Sequence, residues 1–158
     1  MSVGCFACDL AAGRRPLPGG RVFGTANWVV EHCTGPLGVG TLLLKPFRHC
    51  TSVAGLTASE ASELGSLLQT VSRCVHELNR ADQVYVCLWS HAGWEPGHIH
   101  FVIQPAWREQ AASFSYPGPR LQSEMLMANI APEPARVEAF CDRAREWFAQ
   151  SHAAEGLG

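Results

Sequence analysis

Short apolar runs alternate along the chain with polar, Gly/Pro-rich breaks, and the period inside each run separates strands from helices. From Arg21 to Glu31, Val22, Phe23, Trp28, Val29 and Val30 predict one strand or a broken pair. The turn sequence Gly35-Pro36-Leu37-Gly38-Val39-Gly40 and the strand Thr41-Leu42-Leu43-Leu44 follow, which predicts an antiparallel hairpin. No Gly-Lys-Ser/Thr ending or helix start follows that turn, and this argues against a phosphate loop. Thr57-Ala58-Ser59-Glu60 has the form of a capping box. Beyond it Ala61, Leu64, Leu67, Leu68, Val71, Cys74, Val75 and Leu78 recur at helical spacing, so a helix over 57–79 should lay that stripe on a sheet. His76 falls off the stripe and reads as solvated. Val84 to Trp89 is an aromatic and β-branched strand. A last helix from Pro134 to about Ala149 should bury Val137, Phe140, Cys141, Ala144, Trp147 and Phe148, with Pro134 at its first position. Trp107 to Ala131 lacks a clear period and reads as an untidy connection, a lid or a dimer arm.

Gly97-His98-Ile99-His100-Phe101-Val102-Ile103-Gln104-Pro105 alternates with period two. As a strand it places His98, His100, Val102 and Gln104 on one face and Ile99, Phe101 and Ile103 on the other. The apolar face suits a core, while the opposite face carries two imidazoles about 7 Å apart, from a rise of roughly 3.3 Å per residue. His-x-His alone describes two solvated histidines equally well. The loop from Ser90 to Gly97 brings His91, Trp94 and Glu95 beside this face as candidate substrate-binding groups, with Gln104 at the strand end. Their plain readings are a packed tryptophan, a solvated charge and a solvated amide.

A chain of 158 residues, 47% hydrophobic, suits a single domain over residues 1–158. A net charge of −2 offers no electrostatic footprint for nucleic acid. No stretch of about 20 apolar residues is available for a membrane span. Met1-Ser2-Val3-Gly4-Cys5 lacks the charged and apolar regions of a signal peptide, which predicts a cytoplasmic protein. Seven cysteines without an export signal do not suggest a disulfide framework. Cys33, Cys50, Cys74, Cys87 and Cys141 read as small core or boundary residues.

The remaining thiols stand in Cys5-Phe6-Ala7-Cys8. That spacing fits a metal site, a redox pair or two unrelated core cysteines. A redox pair would open a sustained helix after a strand, whereas Leu10 to Pro16 soon breaks any helix here. His49, at the end of Lys45-Pro46-Phe47-Arg48-His49, and His98 complete a set of two Cys and two His, the closed tetrahedral set of structural zinc sites.

An N-terminal Cys-x-x-Cys, a Pro-x-x-His after an apolar strand, and a His-x-His strand ending in Pro together resemble the histidine triad superfamily of nucleotide hydrolases and transferases. The resemblance runs from Cys5 to about Pro105. It implies an α+β fold, with about five antiparallel strands, a long helix on one face and a C-terminal helix. It also implies zinc held by Cys5, Cys8, His49 and His98, and His100 as the nucleophile that attacks phosphorus. A nucleotide or related phosphate ligand and a homodimer are expected on the same ground. Two departures stand out. The third histidine of the family pattern is Val102 here, and a Gln and a Ser that hold phosphate oxygens in the family fall on Trp94 and Glu95. Valine offers no hydrogen bond, and a glutamate repels phosphate. The implied activity is nucleotidyl transfer through a covalent nucleotidyl-His100. The alternatives are a zinc-stabilised ligand-binding protein without catalysis, or a diverged enzyme acting on another small phosphate ester or natural-product intermediate.

Overall fold

The structure, a computed structural model, describes residues 4–88, 97–113 and 118–155. Five strands are present among the described residues: β1 (Arg21–Gly24), β2 (Trp28–His32), β3 (Leu42–Pro46), β4 (Gln83–Leu88) and β5 (Phe101–Ala106). They form one antiparallel sheet in the order β1-β2-β3-β5-β4. The helices are α1 (Phe6–Ala11), α2 (Ala58–Asn79), α3 (Arg108–Ser113), α4 (Pro119–Ala128) and α5 (Pro134–Glu155), with one 3-10 turn at Val53–Gly55.

The Arg21–Glu31 segment is the broken pair, turning between Gly24 and Trp28. The Gly-rich turn closes the β2–β3 hairpin. Gly40 needs its hydrogen there, because it sits at φ +90° and a Cβ would fall 2.3 Å from Asn79 Oδ1. The capping box of α2 is complete: Thr57 Oγ accepts from Glu60 N at 3.2 Å, and the Glu60 carboxylate accepts from Thr57 N at 2.7 Å. Leu67, Val71, Cys74 and Val75 of its stripe are buried, Leu64, Leu68 and Leu78 are partly buried against the same core, and Ala61 and His76 are exposed.

α2 and α5 cover one sheet face. Alternation decides which side chains meet them: Trp28 and Val30 of β2, Leu42 and Leu44 of β3, and Phe101 and Ile103 of β5 join Val71, Val75, Val137, Phe140, Cys141, Ala144 and Phe148 in the main core. α5 runs farther than expected, to Glu155, and Trp147 is only partly buried.

The opposite face is also covered, which corrects the reading of residues 107–131. Two helices lie there in place of an irregular connection. Leu121 and Met125 of α4 pack with Cys33, Leu37, Val102 and Ala106 in a second core. Two buried apolar side chains in ten residues, Leu121 and Met125, are too few to stand out as a period, but at i and i+4 they share one face and seat the helix on the sheet.

β5 also begins later than the alternation predicts, at Phe101, with His98 to His100 outside the strand. Its ladder with β3 stops at Leu44–Phe101. Continuing it would require an N–H from Pro46, which has none. Ile99 N instead donates to Cys50 O at 2.9 Å.

Candidate metal cluster and the cavity beside His100

Cys5 is the N-cap residue of α1 and Cys8 lies inside it, three positions on, so both sulfurs leave the same side of that short helix. His49 follows β3 on a turn that Arg48 fastens. Arg48 donates to both Glu60 oxygens, at 3.1 and 2.8 Å, and to Gly55 O at 2.8 Å. The three segments converge. Cys8 Sγ lies 3.5 Å from His49 Nδ1 and 3.4 Å from His98 Nδ1, and Cys5 Sγ lies 3.8 Å from His98 Nδ1. All four ligand atoms lie within 4.8 Å of one another. A tetrahedral ion with bonds of about 2.3 Å to sulfur and 2.0–2.1 Å to nitrogen has S···N edges of about 3.5 Å. The cluster therefore fits an ion of zinc's size and ligand preference.

The second nitrogen of His98 explains the orientation of its ring. His98 Nε2 donates to Pro46 O at 2.7 Å, so Nδ1 carries the lone pair that faces the sulfurs. Burial pushes the imidazole pKa down to about 4, against the opposing pull of the Pro46 carbonyl, so the ring is neutral, as a ligand must be. Among the described residues, Cys5, Cys8, His49 and His98 are the group of His, Cys, Asp or Glu able to hold a metal ion.

His100 stands two residues on and is half-buried. Its Nδ1 lies 3.0 Å from His98 O. A carbonyl oxygen only accepts, so Nδ1 holds the proton and Nε2 keeps a lone pair. His100 lines a cavity of about 510 Å³ whose apolar walls include Phe6, Leu10, Leu37, Leu43, Val102 and Leu126. A second cavity, of about 390 Å³, lies between the Pro36–Val39 turn and residues 128–136; its charged groups are Glu133 and Arg136, and neither histidine nor cysteine lines it. Of these two cavities, the first is the one that carries an imidazole.

Three buried polar groups of that cavity were not anticipated from the sequence. Glu31 and Lys45, each 1% exposed, form an ion pair on its wall, and Lys45 Nζ also donates to Ala7 O at 3.0 Å, which fastens α1 to β3. The pair is diagonal across the ladder, because Glu31 sits opposite Leu43 and Lys45 opposite Val29. Charges inside two otherwise apolar strands were the available signal. The third group is Gln122 of α4, also on the wall.

The sequence-derived site residues divide accordingly. Cys5, Cys8, His49 and His98 come together, and His100 lies beside them at the cavity. Gln104 shares the Val102 face as expected but is neither solvated nor at the cavity. It is fully buried, its Nε2 donating to Leu37 O at 3.3 Å and lying 3.1 Å from Met125 Sδ. α4 covers that end of β5, which is why its amide turns to Leu37. His91, Trp94 and Glu95 lie outside the described residues. Cys33, Cys50, Cys74 and Cys141 are buried and Cys87 is partly so, each a free thiol, in line with small core or boundary positions.

No family model matches the sequence, and no curated protein matches it. Solved structures do match. A Hit-like protein of Bartonella henselae involved in cell-cycle regulation superposes with a TM-score of 0.71 at 16% identity, covering 93% of this chain and 98% of that one. The fold is that of the histidine triad proteins. A hypothetical histidine triad nucleotide-binding protein from Sulfolobus tokodaii has a TM-score of 0.71 at 17% identity, covering 92% of this chain and 93% of that one. A zinc-bound histidine triad family protein from Mycobacterium smegmatis has a TM-score of 0.70 at 19% identity, covering 98% of this chain and 99% of that one. The likeness to these histidine triad proteins extends through α4 and α5, beyond the motifs that end near Pro105. At these identities it concerns the fold alone. No helix among the described residues is long and apolar enough to cross a membrane.

Proposed function

We propose that this protein is a nucleotidyl hydrolase or transferase in which His100 is the nucleophile and zinc, held by Cys5, Cys8, His49 and His98, is structural. The observation that carries the reading is the setting of His100: its Nδ1 is tied to the His98 carbonyl, which leaves the lone pair on Nε2, and the residue lines a cavity sized for a small ligand. Nε2 attacks the α-phosphorus of a nucleoside phosphoanhydride, ester or phosphoramidate. A P–N bond forms as the P–O or P–N bond to the leaving group breaks, and that group departs with its electron pair and takes a proton. Water then attacks the same phosphorus, the bond to His100 breaks, and a nucleoside monophosphate is released with a proton. Cys5, Cys8, His49 and His98 would hold the ion with four protein ligands and leave it no open position for substrate, so its part would be to tie α1 and the His49 turn to the segment that carries His100.

Val102 bears on the rate. It is 3% exposed, packed in the second core, and offers no donor to a leaving oxygen. Removing one donor aimed at developing charge costs about 2.7–4 kcal/mol of barrier. Dinucleoside polyphosphates should therefore turn over slowly, and activated phosphoramidates, whose leaving groups need less help, should suffer least. Val102 also favours a second reading, a zinc-stabilised ligand-binding protein without catalysis. His100→Ala separates the two. In an enzyme it abolishes turnover and the nucleotidyl adduct seen by mass spectrometry after quenching in neutral denaturant, while ligand affinity remains. Wild type that binds a nucleoside phosphoramidate without turnover or adduct establishes the second reading. Comparable high rates on both substrate types, unaffected by His100→Ala, would exclude His100 as the nucleophile.

A further inference from the structure

Gln122 lies on α4 and is 2% exposed, yet neither its Oε1 nor its Nε2 has a hydrogen-bond partner among the described residues. It lines the same cavity as His100. A buried amide with both ends unpaired destabilises a fold, and such groups persist in native chains where something else completes them. Gln104, the neighbouring buried glutamine, spends its Nε2 on Leu37 O and does not line the cavity, so the open donor–acceptor pair belongs to Gln122.

We propose that Gln122 is a specificity-determining residue of the His100 cavity, whose amide pairs with a nucleobase edge that offers a hydrogen-bond donor beside an acceptor. The inference rests on the nucleotide reading above. A primary amide presents one acceptor and a donor side by side, the complement of the amino group and ring nitrogen of adenine or of the ring N–H and carbonyl of guanine. The rest of the cavity agrees with a flat, uncharged group. Phe6, Leu10, Leu43, Val102 and Leu126 supply apolar surface for its faces, and the Lys45 cation is already neutralised by Glu31. That leaves the phosphate at His100 and directs the base towards α4.

The test is calorimetric titration of the full chain with adenosine monophosphate, guanosine monophosphate and purine riboside monophosphate, the last lacking any substituent that donates from the base edge. Wild type is expected to bind one of the first two about tenfold or more tighter than the third, since a site built to hydrogen-bond a group rejects an analogue without it. Gln122→Met, of similar length, should remove that preference while purine riboside monophosphate affinity stays within about threefold, and Gln122→Leu should behave alike. Without ligand, both variants should melt at or above the wild-type temperature, because an unpaired polar group has been removed. Equal binding of all three by wild type, or a preference that survives both substitutions, overturns the role of Gln122 and leaves the nucleotide reading standing. Lower melting temperatures in both variants without ligand also overturn it, since the amide then belongs to the fold. Binding of none of the three by wild type overturns the nucleotide reading and this inference together.

Discussion

Glu60 accepts hydrogen bonds from Thr57 N and from both Arg48 Nε and Nη2, and its own backbone oxygen accepts from Trp28 Nε1 at 3.0 Å. The Arg48 guanidinium, with the Thr57 bonds, holds the carboxyl pKa at about 2 against an ordinary 4.5. The folded chain resists protonation that the unfolded chain accepts, so this contribution to stability is complete above about pH 5 and is lost as the pH falls from there towards 2. In a pH series of melting temperatures, wild type should exceed Glu60→Gln most near neutrality, with the gap closing over that acid range. A gap that stays constant to acid pH would show that Glu60 is not the titrating group. The capping role of Glu60 was legible in Thr-x-x-Glu, because both partners lie within one turn. Its bond to Arg48 was not, since nothing local links the β3 exit to the start of α2. The histidines divide in the same way: alternation marked His98 and His100, but which nitrogen of each is free depends on the carbonyls of Pro46 and His98 itself.

At the scale of elements, alternation assigned the faces correctly within β5, from Phe101 onwards, while His98 to His100 precede the strand. Phe101 packs in the main core 6.2 Å from the Trp28 ring, and Val102 packs in the second core on the opposite side. Phe101→Ala should cost about 3–5 kcal/mol, the range for large core truncations, read from denaturant midpoints at constant slope. A loss under about 1 kcal/mol would place Phe101 outside the core packing. α2 and α5 were legible because each carries several turns of apolar stripe and a recognisable start. α4 was not. Its burial rests on Leu121, Gln122 and Met125 alone, and a polar residue among three buried ones breaks the pattern that periodicity relies on.

For the molecule as a whole, the Cys5, Cys8, His49 and His98 cluster joins α1, the turn after β3 and the approach to β5, segments up to 93 residues apart. We expect one zinc per chain by elemental analysis of protein purified without chelator. Cys8→Ser should lower metal content and melting temperature together, and a strong chelator should do the same to wild type, since the binding energy of a structural ion is folding energy. Metal-free protein with an unchanged melting temperature under chelator would refute the assignment. The sequence alone determined the strands and long helices, the faces of the sheet and the four candidate ligands, because these depend on local period and on residue types whose chemistry does not change with context. Tertiary structure alone decided the later start of β5, the α4 cover on the second face, the diagonal Glu31–Lys45 pair and the unpartnered amide of Gln122. Each of these depends on which distant surfaces pack together, and that choice is made by burial across the whole chain and not by any segment's own pattern.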